Sequence, residues 1–288
     1  MINTQHSLPL ILETLRCTLR IQVQALCSVR SKGARVNPSS VQRSYKNRLL
    51  ASLPASVIKR LSRDLVPVPL PSGLVLREPD LTMENAVFIE DGVCSIVVSM
   101  EDGTTIEAGV VGREGFVGVD EVLGVARSPN RTLMQVAGYG YRVKTTILTE
   151  LADAFAPLRL SLLRSVHLLL VQTAQTAACN RVHELNERLA RWLLMCQDRV
   201  ESDEILITQE FLAGMLGTHR SSVTVAAGIL QQAGLITYAR GKVTIQNRAG
   251  LMDASCECYH IVHDEAVRLG LFEHSLPDCG QDRASAGL

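Results

Sequence analysis

Between Thr208 and Ala227 the chain spaces small and apolar residues as two short helices crossing at a tight turn require. Ala213 is small where the helices would approach, Gly217 stands at the turn, and Val223 anchors the second helix. Leu212, Leu216 and Ala226 fill the remaining inward positions, which leaves His219-Arg220-Ser221 and Thr224 as an outward polar edge. An arginine guanidinium pairs bidentately with guanine, and hydroxyls reach base edges or phosphates, so this edge has the chemistry of a helix entering a DNA major groove. Thr208 and Thr218 are the expected N-caps of the two helices. Downstream, Leu235–Tyr238 and Lys242–Ile245 alternate around Arg240-Gly241, which predicts a hairpin whose Arg240, Lys242 and nearby Arg248 contact phosphates. From Ile207 to Arg248 the sole acid is Glu210, so this segment is locally basic although the whole chain has a formal charge of zero.

Other chemistry is less well supplied. Cys256-Glu-Cys258-Tyr-His260-Ile-Val-His263 contains residue types that suit zinc, but two cysteines one residue apart chelate poorly on a helix, so helix packing is the expected role. Cys17 and Cys27 have no third partner before Cys94, unlike the closely placed cysteines of an iron–sulfur site. No metal and no cofactor is therefore expected. Histidines, cysteines and carboxylates form no triad and no paired-carboxylate site at usable spacing, which argues against an enzyme.

These residues need elements to hold them. The 288 residues suffice for two domains and tails. Residues 1–44 read as a basic extension and linker, with a helix expected over 8–29 and no Asp or Glu from 14 to 63. Residues 45–145 show short alternating runs (Val87–Ile89, Val93–Val98, Thr105–Ile106) broken by glycines, with Asp91-Gly92 and Asp102-Gly103 expected as hairpin turns. An antiparallel β-roll of jelly-roll type fits that rhythm. Over 146–181 the period becomes helical. Leu162, Val166, Leu169, Thr173 and Thr176 form one stripe, and Leu163, His167, Leu170, Ala174 and Ala177 another beside it. Such a helix needs two partners, its own sheet and the same helix of a second subunit, and Leu162, Val166, Leu169 and Thr173 are the expected dimerisation residues. Residues 182–255 hold the paired helices and hairpin, and 256–288 read as a tail. No apolar run reaches membrane-spanning length, a secretory signal is not evident, and eight scattered cysteines suit a reducing cytoplasm.

A β-rich first domain, a long central helix and a winged helix-turn-helix together resemble the Crp–Fnr superfamily of bacterial transcription regulators, over about residues 45–255. Arg188-Leu-Ala-Arg-Trp-Leu-Leu194 and 207–236 carry the likeness most specifically. The resemblance implies an α+β fold, a sensory roll, and a homodimer on double-stranded DNA, with RNA polymerase as a further candidate partner. Its half-sites would lie roughly 34–36 Å apart. In members that bind cyclic nucleotides, a Gly-Glu pair and a later Arg-Ser or Arg-Thr hold the ribose and phosphate. Here Gly118, Arg131 and Thr132 match as ligand-binding residues, whereas Val119 stands in place of the glutamate and cannot accept the ribose hydrogen bond. The roll is therefore not expected to be tuned to cyclic AMP. Val225 replaces a second groove-reading arginine, so the target sequence should differ from that of the best-known members. An alternative reading is a cyclic-nucleotide- or metabolite-binding signalling module whose C-terminal helices contact a protein; salt-dependent DNA affinity separates the two.

Overall fold

The computed structural model describes residues 45–200 and 202–273; the expected basic extension, the helix over 8–29, Cys17 and Cys27 lie outside them. Two short helices, α1 (Arg48–Ala51) and α2 (Ala55–Leu61), lead into the roll. Its strands are β1 (Val66–Leu70), β2 (Val75–Arg77), β3 (Asn85–Ser99), β4 (Thr105–Val111), β5 (Phe116–Val117) and β6 (Arg131–Lys144), with the short helix α3 (Val119–Val122) before β6. All pair antiparallel in the order β1-β6-β3-β4, with β2 on β6 and β5 on β3. Leu70, Val87, Ile89, Cys94, Val117 and Met134 fill the inside of the roll, as the alternation of a half-buried sheet requires.

Asp91-Gly92 is not the hairpin turn that the dipeptide suggests. It lies within β3, at a run of register shifts against β6. Gly92 adopts φ +98°, and a Cβ there would meet the Val136 carbonyl oxygen at 2.7 Å, so the glycine serves a bulge where two strands approach closely. Asp102-Gly103 does form the β3–β4 turn, closed by Met100 N–H donating to Thr104 O at 2.8 Å.

The helical stretch after β6 is two helices, α4 (Thr145–Ala154) and α5 (Ala156–Val182), bent by 117° at Phe155. Phe155 is extended, and Pro157 sits in the first turn of α5, where its missing N–H costs nothing. Leu158, Leu162 and Leu168 of α5 join Leu49, Val57, Phe88, Phe116 and Leu148 in a core between the helices and the roll. Among the described residues no single helix is long and apolar enough to cross a membrane. After an extended His183, α6 (Leu185–Gln197) starts on a capping box made by Glu184 and Glu187. It is followed by β7 (Glu204–Leu206), α7 (Gln209–Met215), α8 (Arg220–Gln232), β8 (Ile236–Ala239), β9 (Lys242–Ile245) and α9 (Arg248–Asp253). The second sheet has the order β7-β9-β8.

The segment from 256 onward, read from sequence as a tail, contains a folded helix, α10 (Cys258–Arg268), that packs back on the molecule. Val262, Ala266 and Leu271 enter the α5 core, the His167 ring contacts Glu265 at 2.8 Å, and the Tyr259 hydroxyl donates to Asp198 at 3.1 Å. Apolar residues spaced along one face of this segment carried that information, which the surrounding charges obscured.

Candidate nucleic-acid interface

α7 and α8 cross as the spacing predicts, and the turn between them is a Schellman motif. Thr218 N–H donates to Ala213 O at 2.9 Å and Gly217 N–H to Gly214 O at 3.2 Å, with Gly217 at φ +59°. Only a residue without a Cβ adopts that conformation cheaply. Thr208 caps α7 by accepting from Phe211 N–H at 3.2 Å. The cap of α8 falls one residue later than expected: His219, not Thr218, is the N-cap, and Thr218 N–H closes the turn.

The inner face of the pair is apolar and closed. Leu212, Ala213, Leu216, Val223, Ala226, Ala227 and Leu230 pack with Leu193, Leu194 and Trp192 of α6. On the outer face His219, Arg220, Ser221, Thr224 and Val225 are exposed, Val225 at 65%. Thr224 Oγ1 lies 3.0 Å from Gln209 Oε1 and donates to Arg220 O at 3.1 Å, tying the outer edge of α8 to the start of α7. Arg220 has no acidic partner among the described residues.

The expected hairpin is present as β8 and β9. Ala239 pairs with Lys242 around Arg240 (φ +51°) and Gly241 (φ +75°), the two left-handed residues of a type I′ turn. Arg240 is exposed at its tip. Lys242 donates to Glu204 at 2.7 Å across the neighbouring strand, a solvent-exposed pair of little strength that phosphate can displace. Arg248 is a different case. Its guanidinium holds Asp198 at 2.5 Å and the Tyr259 hydroxyl at 2.8 Å, so it fastens α9 to α6 and α10 instead of facing outward with Arg240.

Three polar contacts seat this helical unit on the roll. Trp192 Nε1–H donates to Glu107 at 3.0 Å, Arg199 pairs with Glu114 at 2.7 Å, and Arg113 donates to Arg199 O at 3.1 Å. A fourth, from Arg188 to Leu216 O, braces the unit itself. Burial pushes the Glu107 carboxyl up to about 7, against the hydrogen bonds of Ser95 and Trp192 and the charges of Arg191 and Arg199. Ser95 Oγ sits 2.6 Å from Glu107 Oε2 and 2.5 Å from Gln135 Oε1. One hydroxyl proton cannot serve two acceptors, and in this amide orientation a protonated Glu107 supplies the missing hydrogen.

Between the roll and α5, Gly118 and Thr132 line a cavity of about 170 Å³ together with Val119, Asp120, Leu169 and Thr173. Arg131 does not join them. It is turned outward, paired with Glu78 at 3.1 Å. The cation at this cavity is Arg77, buried and held by Asp120 at 2.8 Å and by Glu121, which also accepts from Met83 N–H at 3.0 Å. No spacing in the sequence marks Arg77, since its partners lie more than forty residues away.

The expected dimer stripe divides. Leu162 is 0% exposed inside its own core and so is not available to a second subunit, whereas Leu169 is half-buried at the edge of the cavity. Leu163 (44% exposed), Leu170 (65% exposed), Thr173 and Ala177, with the half-buried Val166, form the stripe that stays open. Of the four expected residues only Leu162 is sealed in its own core; both stripes are apolar, and the packing of the roll decides which positions face inward.

Compared with known proteins, residues 187–254 match the model of the Crp-like helix-turn-helix domain. Among solved structures the chain is similar to FixK2 from Bradyrhizobium japonicum, with 14% identity over 67% of this chain and 98% of that one and a TM-score of 0.58. It is also similar to a CRP/FNR-family transcriptional regulator from Thermus thermophilus (18% identity, 66% and 98% coverage, TM-score 0.53). A third is the c-di-GMP-responsive global regulator CLP of Xanthomonas campestris (15% identity, 67% and 99% coverage, TM-score 0.54). No individual curated protein matches the sequence. Residues 187–254 are thus a Crp-like helix-turn-helix domain, and the chain has the α+β fold of Crp–Fnr transcription regulators.

Proposed function

We propose that this chain is a sequence-specific transcription regulator that reads double-stranded DNA as a homodimer in the cytoplasm, through the outer face of α8. The carrying observation is that face itself. His219, Arg220, Ser221 and Thr224 are exposed together on a helix whose other side is sealed, in a domain of Crp-like type. Arg220 supplies a guanidinium for a base edge, Val225 an apolar contact for a thymine methyl, and Arg240, Lys242 and the Thr208 end of α7 the phosphate contacts. Pairing of α5 along Leu163, Val166, Leu170 and Thr173 sets the separation of the two recognition helices, and RNA polymerase is a further partner of the DNA-bound dimer.

Cyclic AMP is not the signal in this reading. Arg77, the buried cation at the cavity, is neutralised by Asp120 and Glu121, so a cyclic phosphate would meet two carboxylates and no free positive charge. Val119 offers the ribose no acceptor. DNA selection with the purified chain, with and without cyclic nucleotides, tests both parts. Enrichment of a near-palindrome without ligand is expected. Enrichment only with a cyclic nucleotide overturns the assignment of the cavity, and no enrichment in either arm favours a protein-contacting module.

A further inference from the structure

Where α5 ends, the fold brings together four side chains that the sequence keeps far apart. Cys179 is in the last turn of α5, and His183 follows four residues later as its C-cap, on the same side of the helix. Cys256 precedes α10 and Cys258 is its first residue. One ligand atom from each lies within 4.8 Å of all the others. The Cys179 and Cys256 sulfurs are 3.5 Å apart, and Cys258 Sγ is 3.6 Å from His183 Nδ1. A tetrahedral zinc with bonds of about 2.3 Å to sulfur and 2.0 Å to nitrogen has S···S edges of about 3.8 Å and S···N edges of about 3.5 Å. The three thiols are buried, yet they pack as a group of their own, apart from the larger apolar cores.

The expectation that Cys256 and Cys258 chelate poorly assumed that both lie on one helix with His260 and His263. Cys256 instead lies before the helix, and neither histidine is in the cluster. His263 lies between the rings of Tyr259 and Phe272, tilted by 38° to each.

Two further observations point to a bound cation at this cluster. His183 presents Nδ1 to the thiols while its Nε2 meets Glu257 at 3.1 Å, the carboxylate–histidine arrangement that fixes the tautomer of a metal-bound imidazole. Arg191, 5% exposed, has no ion pair among the described residues, reaches only Thr176 at 3.4 Å and 3.5 Å, and leaves its Nε without a partner. A buried guanidinium without an ion pair is costly. Zinc with three thiolates and a neutral imidazole carries one net negative charge beside it.

We infer that Cys179, His183, Cys256 and Cys258 form a closed, four-ligand zinc site that fastens the C-terminal helix α10 to the end of α5. On binding, each of the three thiols gives its proton to solvent, and His183 coordinates through Nδ1 while Nε2–H stays on Glu257. All four positions are protein ligands, so the role is structural: the ion fixes the joint between α5 and α6, next to Arg188 and Arg191.

The test uses the full-length chain, purified without a histidine tag or chelator, with metal content measured after gel filtration. About one zinc per chain is expected, together with the intense thiolate charge-transfer and d–d absorption of a tetrahedral site after exchange for Co²⁺. Glu257 is 70% exposed in its side chain, so Glu257→Gln leaves folding intact. It should weaken zinc roughly 10–100-fold in competition with a chromophoric chelator. A folded chain that stays metal-free in zinc-supplemented medium overturns the site. So does a Cys179–Cys256 disulfide found by mass spectrometry under reducing purification, an iron–sulfur absorption spectrum, or zinc affinity that is unchanged by Glu257→Gln and by His183→Ala.

Discussion

Glu107 makes the seat of the helical unit pH-dependent, and the size of the effect follows from its position. The carboxyl is buried under Trp192 and Ser95 and held up at about 7, compared with 4.5 for a free glutamate. Below about pH 4.5 the group is protonated in both the folded and the unfolded chain, so the stability is fully present there. As pH rises from there, the unfolded chain loses the proton first and stability falls, by about 1.4 kcal/mol per unit. Above about pH 7 both states are ionised and the loss is complete, on the order of 3 kcal/mol for this group. Glu107→Gln removes the titration while its amide still accepts from Trp192 and donates to Ser95. The variant should therefore match the parent near pH 4.5 and exceed it at pH 8, with a melting temperature higher by roughly 6–12 °C for a chain of this size. Melting both proteins across this range and subtracting cancels every other titrating group. A difference that does not grow with pH, or a variant less stable at pH 8, refutes the reasoning.

Other consequences follow from the same contacts. Arg220→Ala should cost about 1–3 kcal/mol of affinity for the selected DNA and relax preference at one base pair, whereas Arg240→Ala should weaken all sequences alike and lower the salt slope by about one, both read by anisotropy titration. Leu170→Glu should give a monomer by analytical ultracentrifugation with its melting temperature nearly unchanged. Leu162→Ala, by contrast, should lower stability by about 2–5 kcal/mol in denaturant titration through a cavity in its own core. Gly217→Ala should cost about 1 kcal/mol in the same titration, because alanine resists φ +59° at the helix-turn-helix corner.

The parts legible in the sequence are those set by local rules. The Gly217 turn, the Thr208 cap, the Arg240-Gly241 hairpin and the outward edge of α8 each depend on residues within one or two helical turns. The parts that escaped depend on distant partners. Nothing near Leu162 or Leu163 says which of them meets the roll, and Arg77 looks ordinary until Asp120 and Glu121 fold over it. Arg248 reads as one more basic residue of a DNA-facing segment, yet Asp198 and Tyr259 draw it inward. The cysteines show the same effect most fully: Cys256 and Cys258 are a weak pair alone, and gain Cys179 and His183 only because α10 returns to the end of α5.

Footprinting on the DNA sequence enriched by selection tests the central claim most directly. Two related protected half-sites centred roughly 34–36 Å apart, both lost in Arg220→Ala and reduced to a single weak contact in Leu170→Glu, are the predicted result. Protection that ignores sequence, or that survives unchanged in Arg220→Ala, would contradict a dimer that reads DNA through α8.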